Sequence, residues 1–444
     1  MGELRFVMNV VVATLNRKRV SVRLIGLLFL LFGIATGLAL LPCIIRGELW
    51  GPADSDTHVY FLPIRTFLLS QLEQGRWPQI VPIFSGHDLI SFGQSYFYPI
   101  TLLGLVLRIP NVPFFQFDLW LHWTLAGVFM TLLGIRRGLG LGASIVCSVI
   151  YAFSGHVLWR FHGHWTLVHQ IAWIPALFIY VEEIFQPVWL RTPFRLCAFG
   201  GMILGLILLS QNPQILYYLL FALGPYVLLR SLISPSLRKL TRLVLNGLAA
   251  SAVALLLSSA ALVPTVAALN QSMRAWVKGE NFASYCPLKP GVLPGVIYPD
   301  LFYPGSEFTI MYAPQETLLT VGSGIVFLAL FGTLGYIGGI NCRSRIRLLL
   351  PAMLFLTVAL MGFAPSFPWF SFFVEHLPLY GSFRAHGRVG LLAIIGFALL
   401  AGEGVQLLVR CSVLATSPRP VRVCRVLITT CILLIVFSGL FFFS

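Results

Sequence analysis

Residues 17–45 read RKRVSVRLIGLLFLLFGIATGLALLPCII, a cluster of positive charges followed by a long apolar run. The apolar part, Ile25 to Ile45, has the length that an α-helix needs to cross a bilayer, about 20 residues. The apolar stretch of a cleaved signal peptide is shorter, about 7–15 residues. We therefore predict a retained membrane anchor whose basic N-terminal side lies in the cytoplasm.

The same kind of apolar run recurs along the rest of the chain. Hydrophobic residues make up 58% of the sequence and charged residues 10%, whereas a soluble domain carries about 25% charged residues. With the anchor, these runs predict an all-α polytopic membrane protein of about eleven transmembrane helices in a single domain, residues 1–444. The ten further runs lie near 117–135, 141–158, 166–186, 195–210, 213–231, 243–266, 317–340, 348–365, 389–409 and 426–443.

The charges are distributed by side of the membrane and do not form a basic domain. The net charge is +15, but with the N-terminus inside, twenty of the 30 Lys and Arg residues fall in short inner segments. Eleven of the 15 acidic residues and all nine histidines fall in outer segments or at outer helix ends. This positive-inside pattern predicts a multi-pass membrane protein with its N-terminus in the cytoplasm and its C-terminus outside. It indicates membrane lipids, and no nucleic acid, as partners.

Two predicted outer segments are long, about 46–116 and about 267–316. Loops of more than about 12–15 residues are usually functional or disordered, and the aromatic and proline-rich composition here favours order. In the first segment, His58 to Gln74 has the pattern of an amphipathic helix lying in the membrane interface. The apolar residues are Val59, Phe61, Leu62, Phe67, Leu68 and Leu72, and the polar ones are Arg65, Gln71, Glu73 and Gln74. Ile100 to Ile109 is a second candidate. We predict interfacial helices in this first large outer loop.

Two carboxylates follow the anchor in the sequence Asp54-Ser55-Asp56. Because they lie just outside the first predicted span, either could act as a general base or help to bind a divalent cation. Alternatively, Asp56 or Thr57 could cap the interfacial helix that follows. The spacing of the two residues leaves both interpretations open.

Four histidines cluster at the outer turn between the third and fourth predicted spans: His156, His162, His164 and His169. His-x-His spacing can bind a metal ion, but no carboxylate accompanies these residues locally. Hydrogen bonding at the membrane boundary, or the lining of a polar cavity, is the favoured interpretation. We predict that His162, His164 and also His58 line a substrate site, and we assign no metal ligands.

Two arginines, Arg384 and Arg388, precede the tenth predicted span on its outer side, against the general charge pattern. Because they are four residues apart, they could share one helical face. A guanidinium group commonly binds phosphate through two parallel N–H donors. A binding site for a lipid phosphate would therefore explain the two arginines. Snorkelling to bind lipid headgroups explains them equally well.

The middles of the predicted spans carry almost no ionisable residues. Ion-coupled transporters usually place Asp, Glu, Lys or His there. This weakens a transporter interpretation. A lipid or polysaccharide flippase and a non-catalytic protein of envelope assembly both stay open as alternatives to an enzyme.

Seven short motifs occur in a characteristic order relative to the predicted helices. They are Asp54-x-Asp56, Gly75-Arg76-Trp77-Pro78, Gln94-Ser95-Tyr96-Phe97-Tyr98-Pro99, Ala152-Phe153-Ser154-Gly155, Asn212-Pro213-Gln214, Phe383-Arg384-x-x-x-Arg388 and Leu400-Ala401-Gly402-Glu403-Gly404. In combination, from about residue 20 to about 410, the chain resembles the bacterial YfhO-like membrane proteins of the GT-C glycosyltransferase superfamily.

The resemblance implies a GT-C-like architecture and a membrane glycosyltransferase. Such an enzyme transfers a sugar from a polyprenyl-phosphate donor to an envelope polymer or lipid acceptor on the non-cytoplasmic face of a bacterial cytoplasmic (inner) membrane. The resemblance implies that Asp56, or Asp54, is the catalytic carboxylate. Arg384 and Arg388 match the late arginine motif of the family, and we expect them to bind the donor phosphate.

Tyr98 and Gln214, which stand in two of these motifs, are further candidates for lining the substrate site. The sequence also departs from the family in two places. Gln79-Ile80-Val81-Pro82 stands where the family often has Trp-Asn-Pro. Many relatives are longer and carry a soluble outer domain, which leaves the acceptor site undefined.

Overall fold

The computed structural model describes residues 20–51, 53, 55–76, 80–81, 87–88, 95–233, 236–269, 283–284, 288–297, 319–337 and 346–414. Three predicted features lie outside the described residues: Asp54, most of the second long outer segment and the last predicted span. The side chain of His162 is likewise outside the description, although its backbone belongs to a helix.

Almost all regular structure in the described residues is helical. One antiparallel pair of two-residue strands, β1 (Ile80–Val81) with β2 (His87–Asp88), adds to the predicted all-α fold. The helices of more than four residues are α1 (Val22–Arg46), α2 (Leu62–Glu73, entered through a π-helical turn at Thr57–Phe61), α3 (Pro99–Val106), α4 (Asn111–Arg136), α5 (Leu141–Ala152), α6 (Gly155–Gly163), α7 (Trp165–Phe185), α8 (Pro193–Leu209), α9 (Pro213–Ile233), α10 (Leu237–Leu269), α11 (Leu293–Ile297), α12 (Ser323–Ile337), α13 (Ile346–Thr357, extended by a π-helical turn at Val358–Gly362), α14 (Phe370–His376) and α15 (Gly390–Leu414).

Six of these helices are long and apolar enough to cross a bilayer: α1, α4, α7, α9, α10 and α15. Helices α5 and α6, which are bent by 51° at the break between them, could together make a seventh. Three shorter apolar helices, α8, α12 and α13, overlap other predicted spans. The chain is therefore a helical membrane protein with six or seven such helices in the described part, and the total of eleven stays a prediction.

Helix α1 begins and ends at recognisable caps. The side chain of Ser21 accepts a hydrogen bond from the Leu24 amide at 3.1 Å, and Gly47 ends the helix with a φ of +65°. A left-handed residue at this place normally has to be glycine. On one face the helix contacts α4, where Trp120 Nε1 donates to the Gly33 carbonyl oxygen at 2.9 Å. Most of its remaining surface is apolar and exposed, as lipid contact requires.

The centre of the bundle is formed by α7 and α15. In their most apolar 18-residue windows, 94% and 89% of the residues are buried, against 22% in α1 and in α10. A helix that is apolar on all sides has to be surrounded by protein or by lipid. We conclude that α7 and α15 are enclosed by protein, while α1 and α10 lie at the periphery.

Helix α2 is docked on the bundle through Arg65, which the amphipathic pattern had placed on the polar face. This expectation was wrong, because Arg65 is fully buried. Its guanidinium donates to the carbonyl oxygens of Ile109 at 2.9 Å and Gly104 at 3.2 Å, and it lies 4.1 Å from the ring centre of Phe114. Burial lowers the pKa of Arg65 to about 10. These carbonyl groups replace the water that the charge has lost.

Residues predicted on the same side of the membrane contact one another. At one end of the bundle, Glu182 Oε1 accepts from Arg137 Nη1 at 2.8 Å and Glu182 Oε2 accepts from Arg230 Nη1 at 2.5 Å. At the same end, Arg136 pairs with Glu183, and Arg347 with Glu403. All of these are predicted inner residues. The helix ends that carry these residues therefore lie together, as expected if all of them face the same side of the membrane.

Candidate functional site

Asp56 faces His164 at the opposite end of the bundle. Asp56 Oδ2 lies 2.9 Å from His164 Nδ1, and the Asp56 side chain is 54% exposed, against 14% for His164. Asp56 has helical backbone angles and makes no side-chain capping bond to the turn that follows it. The capping interpretation of this carboxylate is therefore wrong, and the pair offers an accessible oxygen that can accept a proton.

A break between two helices places His164 opposite Asp56. Helix α6 ends at Gly163 and α7 begins at Trp165, so His164 lies at the junction with a φ of −128° and a ψ of +83°. The neighbouring Trp165 packs edge-on against Phe61, with ring centres 5.3 Å apart. This contact holds the start of α2 against the start of α7. His58, a predicted substrate-lining residue, instead shares a hydrogen bond with Ser55 at 2.9 Å.

A second polar cluster lies behind Trp165, inside the bundle. Asp118 and His122 are four residues apart in α4, and His169 comes from α7. Asp118 Oδ2 accepts from His169 Nε2 at 2.7 Å and from Trp165 Nε1 at 2.5 Å. Asp118 Oδ1 lies 3.1 Å from His122 Nδ1. All three side chains are buried, so this is a polar site enclosed by membrane helices.

Tyr98 closes this cluster on the side away from Trp165. Its hydroxyl lies 2.7 Å from His122 Nε2 and accepts from Trp173 Nε1 at 2.6 Å. Burial raises the pKa of the Tyr98 phenol well above its usual value, so the hydroxyl keeps its proton. Tyr98 was predicted to line the substrate site. The structure places it, buried, against His122 and His169.

An apolar cleft lies beside the Asp56–His164 pair, between the C-terminal end of α1 and helices α4 and α7. It reaches from Thr57, next to Asp56, to Trp165, next to His164. Its volume is about 20 Å³, room for about one water molecule, and most of its walls are apolar. The lining residues are Leu40, Cys43, Leu49, Trp50, Thr57, Phe115, Gln116, Leu119, Phe161, Trp165 and Val168.

Gln214 holds the backbone of the arginine segment. Its Nε2 donates to the Arg384 carbonyl oxygen at 2.6 Å and to the Tyr218 hydroxyl at 2.9 Å. Arg384 is exposed and Arg388 partly exposed. Ala385 has a φ of +56°, and the next four residues form a 3₁₀-helix. The two arginines therefore do not share an α-helical face, because Arg384 precedes the left-handed residue Ala385 and only Arg388 lies in the 3₁₀-helix.

Helix α6 connects the arginine segment with the Asp56–His164 pair. At its N-terminal end, a Cβ added to Gly390 would lie 3.1 Å from the ring of His156. At its C-terminal end, His164 meets Asp56. At a rise of about 1.5 Å per residue, the two places are about 12 Å apart along the helix axis. The structure thus puts the predicted carboxylate and the predicted arginines on one side of the bundle.

The sequence interpretation missed Asp118 and His122. It noted that no carboxylate lies near the histidines in the sequence and did not consider the outer end of the second predicted span. The structure adds a carboxylate there, because Asp118 reaches His169 from 51 positions away in the chain. The sequence did contain an indication of this cluster, because Asp118 and His122 are four residues apart in an apolar run. This spacing puts both side chains on one helical face.

The described residues thus hold an exposed carboxylate–imidazole pair, an apolar cleft next to it and a buried Asp–His–His cluster behind it. The pair can accept a proton at the surface, beside a small cleft with apolar walls. No protein-family model matches the chain, and no curated protein matches it in sequence. What the site does is therefore inferred from its own residues.

Proposed function

We propose that the chain is a membrane glycosyltransferase that moves a sugar from a polyprenyl-phosphate donor to a hydroxyl of an envelope polymer or lipid. The reaction takes place at the non-cytoplasmic surface of a bacterial cytoplasmic membrane, on a GT-C-like arrangement of about eleven helices. The observation that carries this proposal is the exposed Asp56 carboxylate, 2.9 Å from His164 and beside an apolar cleft.

In this reaction Asp56 is the general base. It takes the proton of the acceptor hydroxyl while the hydroxyl oxygen forms a bond to C1 of the sugar. The bond between C1 and the phosphate oxygen breaks, and its electron pair leaves with the polyprenyl phosphate. His164 positions the carboxylate and is part of the same pair. Asp54, two residues earlier and outside the described residues, is the alternative base.

The apolar residues near the catalytic pair support a donor that carries a long hydrocarbon tail. Thr57 and Trp165, the neighbours of that pair, line the small cleft, and in this proposal the tail stays in the lipid with its phosphate end at the surface near Asp56. Arg384 and Arg388 bind the departing phosphate in this proposal, since guanidinium groups stabilise the charge that develops on it. Gln214 supports them by holding the Arg384 carbonyl group.

A second candidate function is an ion-coupled lipid or polysaccharide transporter. The observation that favours it is the buried cluster of Asp118, His122 and His169 within α4 and α7. Ionisable residues inside membrane helices are typical of transport and proton pathways. In this alternative Asp56 and His164 belong to the outer entrance and no sugar is transferred.

The test is a transfer assay in membranes with labelled polyprenyl-phosphate sugars. Asp56→Asn is expected to reduce the rate at least about a hundredfold, the usual contribution of a general base. Glu73→Gln, which changes an exposed carboxylate at the end of α2, is the matched control and is expected to keep full activity. Asp54→Asn is assayed beside them.

Full activity in both aspartate variants would contradict the catalytic assignment. Movement of the labelled lipid across the membrane without sugar transfer, abolished by Asp118→Asn, would favour the transporter.

A further inference from the structure

The ligand chemistry of the buried cluster matches a metal ion. Asp118, His122 and His169 each present one ligand atom, and these atoms lie within 4.8 Å of one another. Two imidazoles and one carboxylate are a common protein ligand set for Zn²⁺ and other first-row divalent ions. Such ligands need to approach to about 3 Å of each other around an ion with bonds of about 2 Å.

The charge of the cluster also calls for a cation. The Asp118 side chain accepts from Trp165 Nε1 and His169 Nε2 and lies 3.1 Å from His122 Nδ1. An indole N–H and a neutral imidazole carry no net charge, so they do not neutralise a carboxylate. A charge removed from water is costly unless it is paired or bound to a metal ion. A divalent ion would supply that compensation inside the bundle.

Two buried atoms of the cluster have no hydrogen-bond partner among the described residues. They are Asp118 Oδ1 and His169 Nδ1. Buried polar side-chain atoms are nearly always hydrogen-bonded, so each exception needs an explanation. The Asp118 oxygen is the one that approaches His122 Nδ1 at 3.1 Å. His122 Nδ1 also donates to the Asp118 backbone carbonyl oxygen at 2.8 Å, so an ion bound by Asp118 Oδ1 and His122 Nδ1 would replace this hydrogen bond and give the unpartnered Asp118 oxygen a ligand bond.

The surroundings orient the three side chains as second-sphere residues do in metal sites. A metal-binding histidine usually donates its other N–H to a neighbouring oxygen. Here His122 Nε2 lies 2.7 Å from the Tyr98 hydroxyl, leaving Nδ1 on the side of Asp118. Trp165 holds Asp118 Oδ2.

From these observations we propose that Asp118, His122 and His169 bind one divalent transition-metal ion, of the class of Zn²⁺, between α4 and α7. The ion neutralises the buried carboxylate and links the two helices. Because Trp165 contacts Asp118 and is next to His164, the ion also stabilises the backbone that presents His164 to Asp56. The proposal is independent of whether the chain is a transferase or a transporter.

The experiment uses the full chain purified in detergent. The protein is treated with a chelator, re-equilibrated with Zn²⁺ or Co²⁺, and freed of unbound ion before the metal content per chain is measured. About one ion per chain is expected in the wild type, with visible Co²⁺ absorption bands and a Tm that rises on reloading. A wild-type chain that binds neither ion, and whose Tm does not respond to them, would overturn the proposal.

Variants locate the ion. Asp118→Asn and His169→Gln are expected to lose it, whereas His376→Gln, an exposed histidine in α14, is expected to keep it. Equal metal binding in all three variants would overturn the assignment. If the two cluster variants fail to fold, X-ray absorption spectroscopy of the wild-type Zn²⁺ protein tests which ligands bind the ion. An inner shell of oxygen and nitrogen with two imidazoles supports the site, and a shell without imidazole refutes it.

Discussion

The phenol ring of Tyr98 stacks on the imidazole of His169, with ring centres 4.0 Å apart and planes inclined by 4°. Tyr98 precedes α3 in the first long outer segment, and His169 lies in the central helix α7. Through this contact, and the hydrogen bonds of Tyr98 to His122 and Trp173, the segment is joined to the core of the bundle.

We predict that Tyr98→Phe keeps the stacking and loses the hydroxyl. His122 Nε2 and Trp173 Nε1 would then be buried without their partner, at a cost of about 1–3 kcal/mol for such unsatisfied groups. Thermal or denaturant unfolding in detergent measures the change. Tyr217→Phe is the control, because the Tyr217 hydroxyl has no hydrogen-bond partner among the described residues. Equal destabilisation by the two changes would argue against the role given to the Tyr98 hydroxyl.

Glu182→Gln is expected to be among the most destabilising changes at the predicted inner end. Glu182 accepts from Arg137, Arg230 and the Tyr226 hydroxyl, all of them buried. Removing one partner of a buried ion pair leaves uncompensated charge and costs about 3–5 kcal/mol. Glu48→Gln, in an exposed pair with Arg46, should change the free energy of unfolding by less than about 1 kcal/mol. A small effect of Glu182→Gln would show that the arginines find other partners.

Close packing of α12 against α15 depends on glycine. A Cβ added to Gly404 would lie 2.1 Å from the Leu328 carbonyl oxygen. We expect Gly404→Ala to destabilise the protein by about 1–3 kcal/mol, as overpacking does. Gly247→Ala in α10 meets no atom within 4 Å, and the helix preference of alanine should make it neutral or stabilising by up to about 1 kcal/mol. Melting temperatures that move in the same direction for both variants would contradict this.

The predicted orientation can be tested by labelling single cysteines in a chain whose eight native cysteines are replaced by serine. Glu73 and Arg191 are both exposed, at opposite predicted sides. A cysteine at Glu73 is expected to react with a membrane-impermeant maleimide in intact spheroplasts. A cysteine at Arg191 should react only after the membrane is opened. The reverse pattern would invert the proposed topology and place Asp56 in the cytoplasm.

Much of the candidate surface site could be predicted from residue type and position. Asp56, His164 and the arginine motif were all identified as outer polar residues. That Asp56 pairs with His164 could not be predicted, because the contact depends on the break between α6 and α7 at residue 164 and on the packing of Phe61 against Trp165. The prediction for the two arginines failed for a related reason, the left-handed conformation of Ala385.

The sequence by itself determined that this is a helical membrane protein and which helix ends belong together. Apolar length and the placement of charge are local properties that lipid and water act on directly. Only the tertiary structure decided that Asp118 meets His122 and His169, and that Arg65 is buried. Helices α4 and α7 are apolar on nearly all sides, so their sequences do not specify the rotation of each helix about its axis. Packing against neighbouring helices sets that rotation, and with it the residues that face one another across the bundle.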